Sequence, residues 1–258
     1  MTVASPYQTK TFTSDGLSIA YFDEGEGDPI LLIHGFASST EMNWVTPGWV
    51  DTLLKDGRRV IALDNRGHGE SEKTYEKEAY GAHVMAGDAA RLIDHLGLER
   101  ADVMGYSMGA RISAFLSLSH PERVRSVTFG GLGYGMIRGV GGQEEIASAL
   151  EAPTLDDVQT SLGRRFRLFA QQTKSDLKAL ALCMRASNNK ITEEAIAELQ
   201  PPALIAVGTT DDIAGSADEL AAIIPGAKVC IIPGRDHMLA VGDKAYKAGV
   251  LAFLAERP

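Results

Sequence analysis

The chain has 258 residues, of which 45% are hydrophobic and 23% charged, and its net charge is −9 at pH 7. This composition is typical of a soluble globular protein, and the acidic balance argues against nucleic-acid binding, which needs clustered Lys and Arg to contact phosphates. The length suits one large α/β domain, or one domain with an insertion.

The chain carries no recognisable targeting or membrane signal. Its N-terminal stretch MTVASPYQTKTFTSDG contains no apolar core of signal-peptide length, and no run approaches the ~20 apolar residues of a membrane span. The two cysteines, Cys183 and Cys230, lie in apolar surroundings, so we expect two free thiols. These features predict a cytoplasmic protein with no membrane span, and they leave its oligomeric state open.

Strand and helix patterns alternate along most of the chain. Residues 10–23 alternate polar and apolar side chains around an Asp-Gly pair, which predicts a β-hairpin. Short apolar runs predict buried strands at 30–33, 60–63, 101–106, 124–129, 203–207 and 229–232. Apolar residues at helical spacing predict helices at 82–96, 108–119, 216–224 and 242–256. This alternation predicts a mostly parallel, doubly wound sheet.

Residues 136–200 depart from the alternation. They show no convincing strand pattern, and their amphipathic segments are 143–150, 155–170, 175–187 and 192–199. Because a connection of this length is too long for one crossover, we predict a helical lid at 136–200, inserted into a core of 1–135 and 201–258. The glycine-rich stretch 130–142 fits no G-x-G-x-x-G register and is predicted to be the hinge of this lid.

Two groups of residues in the predicted lid invite a functional interpretation. Arg164, Arg165 and Arg167 form a basic cluster that would either meet a substrate carboxylate or form a solvated helix face. A set of large apolar residues is predicted to form the lid core, with one or two lining a substrate pocket. These residues are Met136, Phe166, Phe169, Leu182 and Met184.

A serine lies between two glycines, Gly105 and Gly109, where strand 101–106 gives way to helix 108–119. The sequence GYSMG fits the G-x-S-x-G nucleophile elbow, a sharp turn in which the serine takes an unfavourable φ/ψ. The positions two before and two after Ser107 come too close for a Cβ atom, so both must be glycine. Ser107 is therefore the candidate nucleophile, at the end of the sheet where α/β folds bind ligands.

A serine hydroxyl needs a general base, and that base needs an orienting carboxylate. His237 follows a predicted strand, which places it at the same end of the sheet as Ser107. Asp211 and Asp212 follow another strand and lie at that end too. The chain order Ser107, Asp211, His237 is the order typical of this motif. Asp236 adjoins His237, but neighbouring side chains in a loop usually diverge.

Two backbone N–H groups are candidates for an oxyanion hole. One belongs to Met108, directly after the candidate nucleophile, and the other to Phe36, where Gly35 lets the loop after strand 30–33 turn. Each such donor contributes about 10²–10³ in rate. His34 in the same loop is expected to hold the loop by hydrogen bonds rather than to act as a second base.

Five segments together resemble the α/β-hydrolase fold superfamily: HGF at 34–36, DNRGHGES at 64–71, GYSMG at 105–109, GTTD at 208–211 and GRDHM at 234–238. The resemblance covers nearly the whole chain outside the predicted lid. It implies a mostly parallel sheet of about eight strands with a helical lid between two of them. Within the superfamily the chain is similar to small lidded carboxylesterases, carbon–carbon hydrolases of aromatic degradation, cofactor-free haloperoxidases and epoxide hydrolases.

The resemblance assigns roles residue by residue. Ser107 matches the nucleophile, His237 the base and Asp211 the acid, while Phe36 and Met108 match the oxyanion positions. Asp212 stands where the family often has proline. The segment DNRGHGES matches a structural turn of the family, so Arg66 and His68 are expected to be scaffold.

The resulting prediction is a serine carboxylesterase for small to medium apolar esters, with no cofactor, no metal and a small-molecule ester as its partner. A carbon–carbon bond hydrolase of aromatic ring-cleavage products, or a cofactor-free perhydrolase or haloperoxidase, is the alternative within the fold. A slow-turnover ligand receptor of the same fold is a further one. Serine at the elbow argues against epoxide hydrolases, which carry aspartate there.

Overall fold

Eight strands form one sheet in the computed structural model, which describes residues 6–187 and 190–257. Residues 1–5 and 258 of the predicted core, and residues 188 and 189 of the predicted lid, lie outside the described residues. The strands are β1 Lys10–Ser14, β2 Leu17–Glu24, β3 Pro29–Ile33, β4 Arg59–Leu63, β5 Ala101–Tyr106, β6 Val124–Gly130, β7 Ala203–Gly208 and β8 Lys228–Ile232.

The strand order across the sheet is β1-β2-β4-β3-β5-β6-β7-β8. The pairs β1–β2 and β2–β4 are antiparallel, and every other neighbouring pair is parallel. Asp15 and Gly16 both take positive φ, 49° and 80°, as a two-residue hairpin turn requires. The predicted hairpin and the predicted α/β-hydrolase fold, with a mostly parallel sheet of eight strands, are both confirmed.

Helices cover both faces of the sheet. They are α1 Trp49–Lys55, α2 Ala82–His95, α3 Met108–Ser119, α4 Gly135–Arg138, α5 Gln143–Glu151, α6 Ser161–Gln172, α7 Leu177–Ala186, α8 Glu193–Ala197, α9 Ala217–Ala221 and α10 Lys244–Glu256. A π-helix spans Glu41–Val45, and short 3₁₀ turns span Lys77–Tyr80, Pro121–Arg123, Leu155–Asp157 and Ala240–Gly242. The sequence patterns predicted neither α1 nor the π-helix.

Side chains of β3 alternate between two buried layers. Leu31 and Ile33 pack with residues of α2 and α3, whereas Ile30 and Leu32 pack with residues of α1 and α10. Because both faces are covered, the strand has no polar side and appears in the sequence as a continuous apolar run. This burial holds the carboxyl end of β3, and the loop that follows it, in a fixed position.

The segment between β6 and β7 is helical: α5 packs on both α6 and α7, and residues of all three helices join the core layer that holds α2 and α3. The predicted amphipathic segment 155–170 is divided in the structure. The 3₁₀ turn Leu155–Asp157 comes first, and α6 starts only at Ser161 because the Thr160 hydroxyl accepts the Gly163 N–H as an N-cap. That residues 136–200 act as a separable lid remains a prediction.

Two glycines of the stretch 130–142 are accounted for by close packing. A methyl group added to Gly133 would lie 2.5 Å from the Ser216 carbonyl oxygen, and one added to Gly135 would lie 2.7 Å from that of Ala214. Backbone hydrogen bonds also join Gly133 and Gly135 to Ala214. The lid hinge predicted for this stretch stays a prediction.

Three further properties concern the chain as a whole. Within the described ranges, no helix is long and apolar enough to cross a membrane. In the same ranges, no group of three or more His, Cys, Asp and Glu side chains is arranged to hold a metal ion. Cys183 is buried and Cys230 partly buried, and both are free thiols, as predicted.

Candidate active site

Ser107 occupies a strained turn between β5 and α3. Its φ of 56° and ψ of −113° are unusual for a residue with a side chain. A methyl group added to Gly105 would lie 2.1 Å from the Gly109 carbonyl oxygen, and one added to Gly109 would lie 2.0 Å from that of Ile33. Both distances are far below van der Waals contact, so the predicted requirement for glycine on either side of Ser107 is confirmed.

A continuous series of hydrogen bonds joins the three residues that the sequence singled out. His237 Nε2 lies 2.9 Å from Ser107 Oγ, and His237 Nδ1 lies 2.8 Å from Asp211 Oδ2. Because a carboxylate only accepts, Nδ1 carries the proton and donates it, which leaves the Nε2 lone pair facing the serine hydroxyl. The loops after β5, β7 and β8 bring these residues together at the carboxyl end of the sheet.

The Asp211 carboxylate is held on both of its oxygens. Oδ2 meets His237, while Oδ1 accepts the N–H groups of Ile213 and Ala214, each at 2.9 Å. Burial raises the pKa of Asp211, but the hydrogen bond and charge of His237 and the two N–H groups lower it by more, so this pKa lies below its ordinary value of 3.8. The residue therefore stays an anion beside the imidazole.

The other two nearby aspartates point elsewhere. Asp212 is exposed, and its Oδ2 lies 3.6 Å from Arg165 Nη1. Asp236 accepts the N–H groups of Met238 and Leu239 and so closes its own loop. Of the three carboxylates, the structure brings only that of Asp211 to the histidine.

Phe36 and Met108 carry the two predicted oxyanion donors. Met108 is the first residue of α3, and Phe36 lies in the loop after β3. Among the described residues, the structure assigns no hydrogen-bond acceptor to either N–H group. The first N–H groups of a helix have no partner within it, and the role of both groups as oxyanion donors stays a prediction.

The loop after β3 is held from behind by His34. Its Nδ1–H donates to the Gly35 carbonyl oxygen at 2.7 Å, and its Nε2 accepts the Asn65 N–H at 2.9 Å. Complete burial lowers the pKa of His34 and keeps the ring neutral, despite the nearby Asp64 carboxylate. The prediction that His34 holds the loop by hydrogen bonds is confirmed.

The segment 64–71 is a buried turn without a path to Ser107. The Arg66 guanidinium makes two hydrogen bonds to Asp88, of 2.7 Å and 2.6 Å. His68 Nδ1–H donates to the Arg66 carbonyl oxygen, and burial, with a contribution from His34, lowers the pKa of His68 to about 3. Both residues are scaffold, as predicted.

Two cavities meet at Ser107, with volumes of about 260 Å³ and 320 Å³. We call the smaller the loop cavity, since it adjoins the loop after β3, and the larger the lid cavity, since α5, α6 and α7 contribute to its wall. The residues that line both are Phe36, Ser107, Arg165, Phe166, Ile213 and His237. Of the predicted lid-core residues, Phe166 and Phe169 line the loop cavity, and Phe166 and Met184 line the lid cavity.

The three arginines of the predicted basic cluster do different things. Arg167 is buried and donates to the carbonyl oxygens at the end of α5, so it is not part of a solvated face. Arg164 donates to the Leu155 carbonyl oxygen. Arg165 alone of the three lines the cavities, and it reaches Asp212 across the lid cavity. Arg165 separates from the other two because residues one or two apart on a helix do not share a face, whereas Arg164 and Arg167 are three apart.

Sequence reasoning missed two residues that support this site. The Tyr106 hydroxyl donates to the His237 carbonyl oxygen at 2.6 Å and so holds the histidine loop. Asn43 Oδ1 accepts the Gly35 N–H at 3.0 Å and holds the loop of Phe36. The first contact joins residues 131 apart and the second residues eight apart, and no spacing rule or short motif predicts either of them.

The fold and the strained serine turn define the class of protein. The sequence profile of the α/β hydrolase fold family matches residues 28–158, just over half of the chain, and the chain belongs to this family. The matched range includes Ser107 and the loop after β3. Asp211 and His237 lie beyond it.

Particular relatives match shorter parts of the chain. A putative 2-succinyl-6-hydroxy-2,4-cyclohexadiene-1-carboxylate synthase of Bacillus subtilis is 33% identical over 116 residues, which are 44% of this chain and 40% of that protein. A 2-hydroxymuconate semialdehyde hydrolase of a Pseudomonas species is 34% identical over 127 residues, or 49% and 44% of the two chains. The chain thus matches less than half the length of these relatives.

Solved structures match the chain over nearly its full length. A hydrolase from Pseudomonas aeruginosa superposes with a TM-score of 0.79 over 98% of this chain and 99% of that one. At 23% identity this likeness concerns the fold alone. It includes the helical segment between β6 and β7, which lies largely beyond the family profile.

Proposed function

We propose that the chain is a serine hydrolase that cleaves small to medium apolar carboxylic esters through an acyl-enzyme on Ser107. The observation that carries this proposal is the hydrogen-bonded series from Ser107 through His237 to Asp211, with distances of 2.9 Å and 2.8 Å. A base within hydrogen-bond reach of a serine, itself oriented by a carboxylate, is the arrangement that activates a hydroxyl nucleophile.

Acylation begins when His237 Nε2 takes the Ser107 proton and Oγ attacks the ester carbonyl carbon. The carbonyl oxygen gains negative charge, which the N–H groups of Phe36 and Met108 stabilise. Asp211 stabilises the imidazolium by accepting from Nδ1. His237 then gives its proton to the leaving alcohol, and the carbonyl re-forms as an ester of Ser107.

Deacylation repeats these steps with water as the nucleophile. His237 takes a proton from water, the hydroxide attacks the acyl carbon, and the same N–H groups hold the second oxyanion. Collapse of this intermediate returns the proton to Ser107 and releases the acid. The apolar walls of the two cavities, including Phe166 and Ile213, favour apolar groups on either side of the scissile bond.

Hydrolysis of p-nitrophenyl esters from acetate to octanoate tests the proposal. We expect turnover by the wild type and a loss of about 10⁴-fold or more in kcat for Ser107→Ala, since only residual catalysis remains without the nucleophile. Mass spectrometry after mixing with a slow substrate should show the acyl adduct on the peptide that contains Ser107. Equal rates for wild type and Ser107→Ala would overturn the proposal.

A second candidate is a hydrolase of carbon–carbon bonds in ring-cleavage products. It is favoured by the 34% identity over 127 residues to a 2-hydroxymuconate semialdehyde hydrolase. Such an enzyme would bleach a yellow dienol ring-cleavage product, and the comparison of kcat/KM for that substrate and for p-nitrophenyl butyrate decides between the two. The ester proposal expects the ester to react faster.

A further inference from the structure

Asn43 lies in an unusual backbone segment beside the candidate nucleophile. It is the central residue of the π-helix Glu41–Val45, a rare conformation that is frequent at functional sites. Only 5% of its surface is exposed, yet it lines the loop cavity together with Gly35, Phe36 and Ser107. The residue is therefore buried in the protein but adjacent to the space that a substrate would fill.

The two ends of the Asn43 amide differ in their bonding. Oδ1 accepts the Gly35 N–H at 3.0 Å, and because only an oxygen can accept there, this contact fixes which end is Nδ2. Nδ2 is buried and has no hydrogen-bond partner among the residues that the structure describes. A buried amide nitrogen without an acceptor is unfavourable, and such a group calls for an explanation.

The distance from Asn43 to Ser107 suits a substrate contact. A methyl group added to Gly35 would lie 3.4 Å from Ser107 Cβ and 3.6 Å from Asn43 Oδ1. The distance between Ser107 Cβ and Asn43 Oδ1 is therefore at most about 7 Å. An oxygen a few bonds from a carbonyl carbon held at Ser107 would thus come near the Asn43 amide. Most of the cavity wall is apolar, which strengthens a hydrogen bond made there.

We propose that Asn43 is a specificity-determining residue, whose Nδ2 donates to an acceptor oxygen in the part of the substrate that fills the loop cavity. The substrate class that follows is esters with an ether or carbonyl oxygen a few bonds from the scissile carbonyl. The proposal rests on the ester hydrolysis proposed above. Oδ1 serves separately, by holding Gly35 and with it the loop of Phe36.

Matched substrates that exchange one CH₂ group for an oxygen test this role. One pair is p-nitrophenyl pentanoate and p-nitrophenyl 3-methoxypropanoate, which differ in the acyl part. The other is butyl acetate and 2-methoxyethyl acetate, which differ in the alcohol part. For each pair the ratio of kcat/KM, oxygen analogue over carbon analogue, is compared between wild type and variant. Intrinsic reactivity cancels in that comparison.

Two variants and one control separate the functions of the amide. Asn43→Leu removes both ends, whereas Asn43→Asp keeps an acceptor for the Gly35 N–H and removes the donor. We expect both variants to lower the ratio of kcat/KM, oxygen analogue over carbon analogue, about five- to tenfold in one of the two substrate pairs. A change of this size corresponds to the free energy of one hydrogen bond. Gln143→Leu makes a similar change in the lid cavity and should leave that pair's ratio within about twofold.

Ratios that stay within twofold of the wild type in both pairs, for both variants, would overturn the role of Asn43 while ester hydrolysis stands. If the wild type cleaves no ester, the proposed function fails instead. The role of Asn43 is then measured by calorimetry as the dissociation constants of 3-methoxypropanoate and pentanoate for wild type and Asn43→Leu. If wild type and Asn43→Leu prefer 3-methoxypropanoate over pentanoate by the same factor, the proposed role of Asn43 is overturned.

Discussion

Neighbouring residues in sequence have opposite environments at this site. Asp211 and Asp212 follow the same strand, but the first is buried against His237 and two backbone N–H groups, while the second faces solvent and Arg165. Hydrogen bonds of the backbone to Oδ1 hold the Asp211 side chain in place before any substrate arrives. The difference between the two carboxylates is therefore one of position and not of chemistry.

This difference makes a matched pair of substitutions informative. Asp211→Asn should lower kcat for p-nitrophenyl butyrate by about 10⁴-fold, because the amide no longer holds the histidine in the correct tautomer. Asp212→Asn should change kcat by less than about threefold, since an exposed ion pair contributes little. Comparable losses in the two variants would contradict the assignment of Asp211 as the orienting acid.

Among the structural elements, the turn 64–71 holds a histidine ring, His68, whose pKa is strongly lowered. His68 Nδ1–H donates to a carbonyl oxygen, and Nε2 is buried with no partner among the described residues. A proton added at Nε2 would create a buried cation without an acceptor, which is why burial lowers the pKa from 6.5 to about 3. The turn is thus built around a neutral ring.

The stability of the fold should depend on pH through this ring. Below pH 6.5 the unfolded chain binds a proton at His68, whereas the folded chain binds one only near pH 3. The contribution of the neutral His68 ring to the free energy of unfolding is therefore present above pH 6.5 and is lost as the pH falls toward 3. From pH 7.5 to 4.5 the ring should cost the wild type about 3 kcal/mol of unfolding free energy.

Urea unfolding of wild type and His68→Asn at the two pH values measures this contribution. The variant retains a donor for the Arg66 carbonyl oxygen, and its loss of stability on acidification should be smaller than that of the wild type by about 3 kcal/mol. His120→Asn replaces an exposed histidine and serves as the control. A wild-type-like pH dependence in His68→Asn would show that other groups dominate acid unfolding.

At the scale of the whole molecule, the site exists only where the sheet and the helices of 136–200 meet. The loop after β3, the serine turn and the histidine loop supply the chemistry from the sheet side. Phe166 and Arg165 of α6 lie over Ser107 and line both cavities. The helical segment thus shapes the two cavities that meet at Ser107.

Two separate cavities predict separate control of the two halves of an ester. Leu162 lines only the lid cavity and Val241 only the loop cavity. A tryptophan at either position would overfill its cavity, which is unfavourable. We expect one of the variants Leu162→Trp and Val241→Trp to lower kcat/KM about tenfold for esters with a long acyl chain. The other should lower it about tenfold for esters with a long alcohol.

Chain-length series in both the acyl and the alcohol part, measured for each variant, check this expectation. Leu168→Trp enlarges an exposed residue of α6 that lines neither cavity, and it should leave both series unchanged. The same shift in both tryptophan variants would mean that the two cavities act as one pocket.

Much of the fold could be predicted because its signals are local. The strands at 30–33 and 203–207 are continuous apolar runs because parallel strands are buried on both faces. The Asp15-Gly16 turn, the elbow glycines and the histidine after β8 follow short-range rules of backbone geometry. The amphipathic segment 155–170 is divided in the structure because the Thr160 cap starts α6 only at Ser161, which the periodic pattern did not show.

By itself the sequence determined the sheet, the strained serine turn and the chain order of Ser107, Asp211 and His237. These depend on side-chain size, periodicity and φ/ψ limits, which act over a few residues. Only the tertiary structure decided which aspartate meets the histidine, that Arg167 is buried while Arg165 lines the cavities, and that Asn43 lies beside the nucleophile. Those facts depend on contacts between distant segments, and no local rule contains them because packing selects one arrangement of the whole chain.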